Sequence, residues 1–294
     1  MSFRTVVITQ RCKCSYKNDY MVVFGDETSM IHLSEINTVV FDTTAVTVTA
    51  YLLCELAKRK VNVIFCDEKH NPLLQALPLY GSHNASKRVS QQVEWSNETK
   101  RRAWRRVVAA KIRAQAENLY VLGRDGWDEL LTFAEQVQDG DETNREGHAA
   151  KVYFNCLFGK QFYRGIEDSI NDALNYGYMI LISTVSKEIV AHGYLTQLGI
   201  NHRSEYNQFN LSCDLVEPFR PFVDRLVYDE SPAEFNWTMK EKLLGLLSEQ
   251  YLFDGQRHYL SRIARLFVRD ALSCVTENRP DAMRFLDITC EFDS

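Results

Sequence analysis

Apolar positions along this chain change their period once, near residue 85. Before that point, short runs alternate apolar and polar residues between turn signals, the period of two that puts every second side chain on one face of a strand. Residues 5–9, 20–24, 30–33, 38–41 and 61–66 read as strands rich in Val, Ile, Phe and Thr. One helical stretch, 48–58, places Val48, Leu52 and Leu56 on a single face, with Thr47 as its N-cap. Asn71-Pro72 and Gly81-Ser82 punctuate the end of this region.

From Ser86 onward the period is helical. The predicted helices cover 86–119 (broken near Asn97), 127–137, 146–158, 167–191, 238–253 and 256–275. Thr238 and Glu241 have the spacing of a capping box, while 198–211 is polar and loop-like. The reading is α+β: a small N-terminal β-rich domain, residues 1–82, followed by a larger all-α domain, residues 83–294. No internal repeat or low-complexity tract interrupts either part.

Composition narrows the class. The 294 residues are 45% hydrophobic and 25% charged, as in soluble globular proteins. No apolar run reaches the roughly 18 residues of a membrane span, and Met1-Ser2-Phe3-Arg4-Thr5-Val6-Val7-Ile8 opens as a strand without a signal-peptide pattern. The eight cysteines (Cys12, Cys14, Cys54, Cys66, Cys156, Cys213, Cys274 and Cys290) are scattered. Cys12-Lys13-Cys14 is too tight for a zinc knuckle and has no second half, so free thiols in a reducing cytoplasm are expected. A net charge of −5 excludes a globally basic nucleic-acid binder but not a local basic surface.

Three phrases carry candidate chemistry: Glu146-Gly147-His148-Ala149-Ala150-Lys151-Val152-Tyr153-Phe154, Leu198-Gly199-Ile200-Asn201-His202, and Asp214-Leu215-Val216-Glu217-Pro218-Phe219-Arg220-Pro221. Two carboxylates and one imidazole suffice to hold a hard divalent cation while leaving positions for water and a phosphate. Each residue has a plainer alternative. Thr143-Asn144-Arg145-Glu146 fits a capping box in which Glu146 serves its own helix. His202 sits in a polar stretch where histidines are ordinarily solvated. Glu217 precedes Pro218, which disfavours helical geometry at Glu217 and reads as a helix start with an acidic cap. Asp214, one turn away, is on the functional reading either a support behind the ligands or an auxiliary acid. His148 does not share a helix face with Glu146 and stays outside the candidate set. The donor types suit Mg2+ or Mn2+ better than zinc.

A second constellation is basic. Lys87, Arg88, Lys100, Arg101, Arg102, Arg105, Arg106, Lys111 and Arg113 meet only Glu94 and Glu98. Arg102, Arg105, Arg106 and Arg113 share one helical side, opposite Trp104, Val108, Ile112 and Leu119. Phosphate binding and a merely solvated face are the two readings; Arg88 and Arg220 join the DNA-contact candidates on the first. Arg257, Arg262, Arg265 and Arg269 form a second basic stretch.

Taken together, the three phrases resemble the CRISPR-associated integrase, the first of the CRISPR-associated proteins. Gln91-Gln92, Lys111-Ile112-x-x-Gln115-x-x-Asn118-Leu119 and Asn171-Asp172-x-Leu174-Asn175-Tyr176-Gly177-Tyr178 extend the likeness over nearly the whole chain. Size and the short N-terminal domain are similar to the branch that accompanies single-protein RNA-guided nucleases. The resemblance implies Glu146, His202 and Glu217 as ligands of Mg2+ or Mn2+, and Tyr176 as a DNA contact, although an aromatic stripe such as Tyr176-Gly177-Tyr178 more often packs in a core than stacks on bases. It further implies a homodimer, two of which flank a dimer of the second CRISPR-associated protein in a 4:2 complex on double-stranded prespacer and repeat DNA. The RNA-guided nuclease and an accessory acquisition protein are further candidate partners. The implied reaction is transesterification: a prespacer 3′-hydroxyl attacks a phosphodiester at the repeat boundary. No nucleotide triphosphate is needed, and no Gly-x-x-x-x-Gly-Lys-[Ser/Thr] loop occurs in the chain. One departure stands out: Tyr194-Leu195-Thr196-Gln197 replaces the Asp-Pro phrase that often precedes the family's histidine. A nuclease for branched DNA and a non-catalytic DNA scaffold are the rival functions.

Overall fold

The computed structural model describes residues 4–78 and 82–286; Met1, Gly81 and Cys290 fall outside them. Strands Arg4–Ile8 (β1), Cys12–Lys17 (β2), Tyr20–Phe24 (β3), Thr28–His32 (β4), Ile36–Phe41 (β5), Val46–Val48 (β6), Asn62–Cys66 (β7) and Pro72–Ala76 (β8) surround one helix, Ala50–Lys58 (α1). They form two four-stranded sheets, ordered β1-β5-β7-β8 and β4-β3-β2-β6. β1, β5 and β7 run parallel, whereas β2, β3 and β4 form an antiparallel meander.

β2, β6 and β8 were not anticipated, because β2 is polar on one face and β6 has only three residues. β6 also displaces the expected start of α1. Residues 46–48 pair with β2, so the helix begins after Thr49, whose Oγ1 accepts the Leu52 amide at 3.3 Å. Thr47 is therefore in a strand and is not the cap.

Strand alternation divides two cores. Val39, Phe41 and Val63 pack with Leu52, Leu56 and Met21 between the sheets and α1. Their neighbours Val40, Ile64 and Cys66 point the other way, into the helical core. Asn62 and Gln75 add polar ties, donating to Ser183 Oγ at 3.1 Å and to the Ser183 carbonyl at 2.7 Å.

The helices are Ala85–Val93 (α2), Asn97–Val121 (α3), Trp127–Glu135 (α4), Arg145–Phe158 (α5), Ser169–Ala191 (α6), Asn210–Val216 (α7), Arg220–Glu230 (α8), Trp237–Gly245 (α9) and Leu260–Thr276 (α10). The break near Asn97 is present, with Ser96 Oγ capping α3 through the Thr99 amide at 3.1 Å. α9 starts earlier than its expected capping box, since Asn236 Oδ1 accepts the Met239 amide at 3.2 Å.

Between α9 and α10 lies a hairpin, Gln250–Phe253 (β9) and Gln256–Tyr259 (β10). Asp254 and Gly255 both take positive φ there, 54° and 71°, as a two-residue hairpin turn requires. The expected helices 238–253 and 256–275 part at that Asp-Gly pair, but their adjoining ends, 250–253 and 256–259, are strands and not helix. Otherwise the architecture is the β-rich N-terminal part and helical remainder that the pattern predicts.

Candidate active site

α3 and α6 form the spine of the helical part, buried along most of their length. On the buried stripe of α3, Lys111, Gln115 and Asn118 interrupt the apolar sequence at i, i+4 and i+7, the spacing of one helical face. The Lys111 side chain is only 12% exposed, and its Nζ lies 2.6 Å from Glu146 Oε1 and 2.5 Å from Glu217 Oε2. A buried ammonium is costly unless it is paired; here two carboxylates from different elements hold it, and their charges keep its pKa above the ordinary lysine value against the opposing effect of burial.

Glu146 reaches that point because it is not needed as a cap. Asn144, at φ 52°, is the N-cap of α5 and accepts the Gly147 amide at 3.3 Å. The Asp141 carboxylate takes the Arg145 and Glu146 amides at 2.8 and 3.0 Å. The capping-box alternative for Glu146 is thereby displaced. A Cβ on Gly147 would lie 2.7 Å from the Asn144 side chain, so glycine makes room for the cap itself.

Glu217 sits where α7 runs into α8 through a short 3-10 turn, Glu217–Phe219. Its backbone is helical (φ −52°, ψ −43°), contrary to the extended geometry expected before Pro218. Pro218 lies in the first turn of that 3-10 segment, as expected, where its missing amide donor is tolerated. Phe219 pins the turn against Phe267, ring centroids 5.4 Å apart. Arg220 Nε donates to Glu217 Oε1 at 2.7 Å, and the guanidinium stacks over the Tyr178 ring at 4.4 Å. These cations hold the Glu217 carboxyl below its usual range although burial alone would raise it. Tyr178 in turn donates to Asp224, a fully buried acid whose pKa burial pushes up to about 6.

His202 is placed by Asp214. Asp214 Oδ1 accepts the His202 ring Nδ1–H at 2.6 Å and the His202 amide at 3.0 Å, while Oδ2 accepts the Ile200 and Asn201 amides at 2.5 and 3.0 Å. One buried carboxylate thus fixes the whole loop. Gly199 is obligatory in it, because a Cβ would lie 2.4 Å from the His202 carbonyl oxygen and 2.7 Å from Asp214 Oδ2. With Nδ1–H committed, neutral His202 presents an Nε2 lone pair, the arrangement by which carboxylates orient metal-binding histidines. Trp104, on α3, braces the ring edge-on at 5.7 Å. The Asp214 hydrogen bond raises the imidazole pKa against burial, and the charges of Asp214, Glu217 and Glu146 add to it. Asp214 therefore orients His202; it has no free oxygen to act as an auxiliary acid.

The two glutamates meet at one cation, and His202 lies within reach of their field. Among the described residues, no three His, Cys, Asp or Glu side chains form a ready metal-holding group. The residues nevertheless fit a hard cation: Glu217 Oε2 is fully buried and accepts no well-directed hydrogen bond, and the donors are two carboxylates and one free imidazole nitrogen. Lys111, read from the sequence as one cation of the basic segment, belongs to this centre. Its signal was the polar stripe on a buried helix face.

The remaining DNA candidates separate. Tyr176 is 3% exposed, packed against Phe235 and beneath Lys240, so it is a core residue here and presents no ring to a ligand. Arg88 lies over Tyr194 at 5.7 Å. Arg102 pairs with Asp281, Arg105 pairs with Asp139 and Asp281 at 2.8 Å each, and Arg106 donates to the Met283 carbonyl at 3.1 Å. Arg113 is exposed. His148 packs near Phe133, apart from the centre as expected.

Residues 5–231 match the family described as CRISPR associated protein Cas1. The chain belongs to the CRISPR-associated Cas1 family. It is 33% identical over 276 residues to a CRISPR-associated endonuclease Cas1 from Neisseria meningitidis serogroup C (strain 8013), covering 90% of this chain and 89% of that one. The Cas1 fold recurs in a casposase bound to integration product, with a TM-score of 0.77 at 19% identity over 99% of this chain and 94% of that chain. It recurs also in a chain of a Cas6-RT-Cas1–Cas2 complex, with a TM-score of 0.73 at 17% identity, covering 97% of this chain and 36% of that chain. No helix among the described residues is long and apolar enough to cross a membrane.

Proposed function

We propose that this Cas1-family chain joins DNA bearing a free 3′-hydroxyl to the CRISPR array by divalent-metal-dependent transesterification. The observation that carries the reading is the meeting of Glu146, from the start of α5, and Glu217, from the α7–α8 junction, on a single buried cation, with His202 near enough to feel both charges. Mg2+ or Mn2+ held by these three would polarise the phosphoryl oxygens and stabilise the leaving oxygen. Asp214 keeps the His202 Nε2 lone pair turned outward, and Arg220 fixes Glu217 in its rotamer. In the reaction one phosphorus–oxygen bond forms to the incoming 3′-oxygen as another breaks. The displaced repeat 3′-oxygen takes up a proton, and the attacking hydroxyl has lost one. Phosphodiester replaces phosphodiester, so no nucleotide triphosphate is consumed.

The likeness to an endonuclease relative and to a casposase bound to integration product supports strand cleavage and joining at such a site. The likeness to a chain of a Cas1–Cas2 complex supports a Cas2 dimer as partner, flanked by two homodimers of this chain in a cytoplasmic 4:2 assembly. Exposed cations, Arg113 among them, and the arginines of α3 would carry phosphate contact. A strand-transfer assay with a labelled 3′-hydroxyl donor and repeat-containing target separates the readings. Joined product is expected; cleavage without joining would favour the nuclease, and binding with neither would favour the scaffold.

A further inference from the structure

Lys111 poses a problem that the proposed metal centre does not solve. Its Nζ lies within 2.6 Å of a carboxylate oxygen of each glutamate, the point that a cation shared by both would take, since oxygen–metal distances are about 2.0–2.6 Å. An ammonium and a divalent ion cannot share that point: they would repel in a buried setting where charge is poorly screened. Without Lys111, buried Glu217 and half-buried Glu146 would face each other with only Arg220 to offset them, and of the two Arg220 pairs with Glu217 alone.

We propose that Lys111 is a built-in placeholder for the metal: its ammonium holds Glu146 and Glu217 in register when no divalent cation is bound, and metal binding requires it to leave. The inference rests on the metal reading above and adds a competitor to it. Glu146 is 26% exposed whereas Glu217 is 5% exposed, so the pair opens to solvent on the Glu146 side. Four methylenes let Lys111 swing while its backbone stays in α3. The freed ammonium needs another anion, and a phosphate of the DNA delivered to the site would supply one. The arrangement would set a threshold: the centre stays assembled but occupied by the protein's own cation until the metal concentration, or DNA, displaces it.

The test is Mn2+ titration of the full chain after chelator treatment, by calorimetry, for wild type, Lys111→Met and Lys111→Arg. Lys111→Met should bind Mn2+ about tenfold or more tightly than wild type, because the competing charge is gone. Its metal-free form should melt at lower temperature, with the loss recovered by Mn2+. Lys111→Arg keeps the charge and should bind no more tightly than wild type. Equal or weaker Mn2+ binding by Lys111→Met would overturn the placeholder and leave Lys111 as a strut. No Mn2+ binding by any of the proteins would remove the metal reading, and the placeholder with it. Should Lys111→Met fail to fold, wild type still decides: amine acylation followed by mass spectrometry should show Lys111 labelled several-fold faster with Mn2+ than without, and unchanged labelling would overturn the proposal.

Discussion

Two charged regions lie along α3 and treat their charges in opposite ways. At Lys111 the ions are largely buried, and α3, α5, the 3-10 turn and α8 contribute to one cluster. About one and a half to two and a half turns earlier, the half-buried Arg102, Arg105 and Arg106 meet Asp139, Asp281 and the Met283 carbonyl. Buried ion pairs rarely improve stability over apolar packing, so a buried cluster asks for a use. Surface pairs are worth little, about 0–1 kcal/mol each, and are easily traded for another anion. The buried cluster is thus read as the centre of chemistry, and the arginine face as a surface on which Asp281 and a DNA phosphate are interchangeable.

The comparison can be broken at either end. His202→Ala removes the imidazole that Asp214 orients and should cost about a thousandfold in strand transfer, roughly 4 kcal/mol of barrier. Melting temperature should stay near wild type, because His202 is 41% exposed. Activity within a few-fold of wild type would take His202 out of the centre. Asp224→Asn tests the support beneath Glu217. The Asp224 pKa is raised to about 6, so its ionised form is disfavoured in the fold. Its contribution to stability is full below the ordinary aspartate range, near 4, and is lost as pH rises toward 6. Relative to wild type, Asp224→Asn should therefore gain up to about 3 kcal/mol between pH 4 and pH 7. A pH-independent difference in denaturant midpoints would contradict this.

The smallest effect is expected at the arginine face. Asp281→Ala frees Arg102 and leaves Arg105 paired with Asp139 alone, so DNA affinity should rise a few-fold at low salt, with a steeper dependence on log salt. An unchanged slope would leave these arginines as a solvated, self-paired surface.

Legibility in the sequence followed the range of the interactions. The β-to-helix change and the candidate trio were readable because they depend on local period and local phrases. Lys111 was read only as one cation of the basic segment because its partners lie on α5 and at the α7–α8 junction, and helical spacing alone does not show which charges a distant segment will meet. The helical geometry of Glu217 escaped the residue-before-proline rule because flanking helices and the Lys111 and Arg220 ion pairs hold it there. Thr47 lost its cap role to strand pairing with β2, a contact 34 residues away along the chain. The break at Asp254-Gly255 was legible, but the four residues on either side of it were read as helix because their apolar positions continue the helical period of the longer segments they adjoin. Tyr176 shows the limit of carrying a family phrase over whole: within one short motif, Tyr178 supports Arg220 whereas Tyr176 fills the core.

The central claim, that Glu217 serves a divalent cation in strand transfer and does not merely hold the junction together, is tested most directly by Glu217→Gln. The substitution keeps size and the Arg220 hydrogen bond but removes the charge. Transfer of a 3′-hydroxyl donor into repeat DNA would be measured with Mg2+ and with Mn2+, beside DNA-binding and melting controls. The account predicts loss of joining by at least about a hundredfold with either metal, with DNA affinity and folding retained. Full joining activity in the folded variant would contradict it.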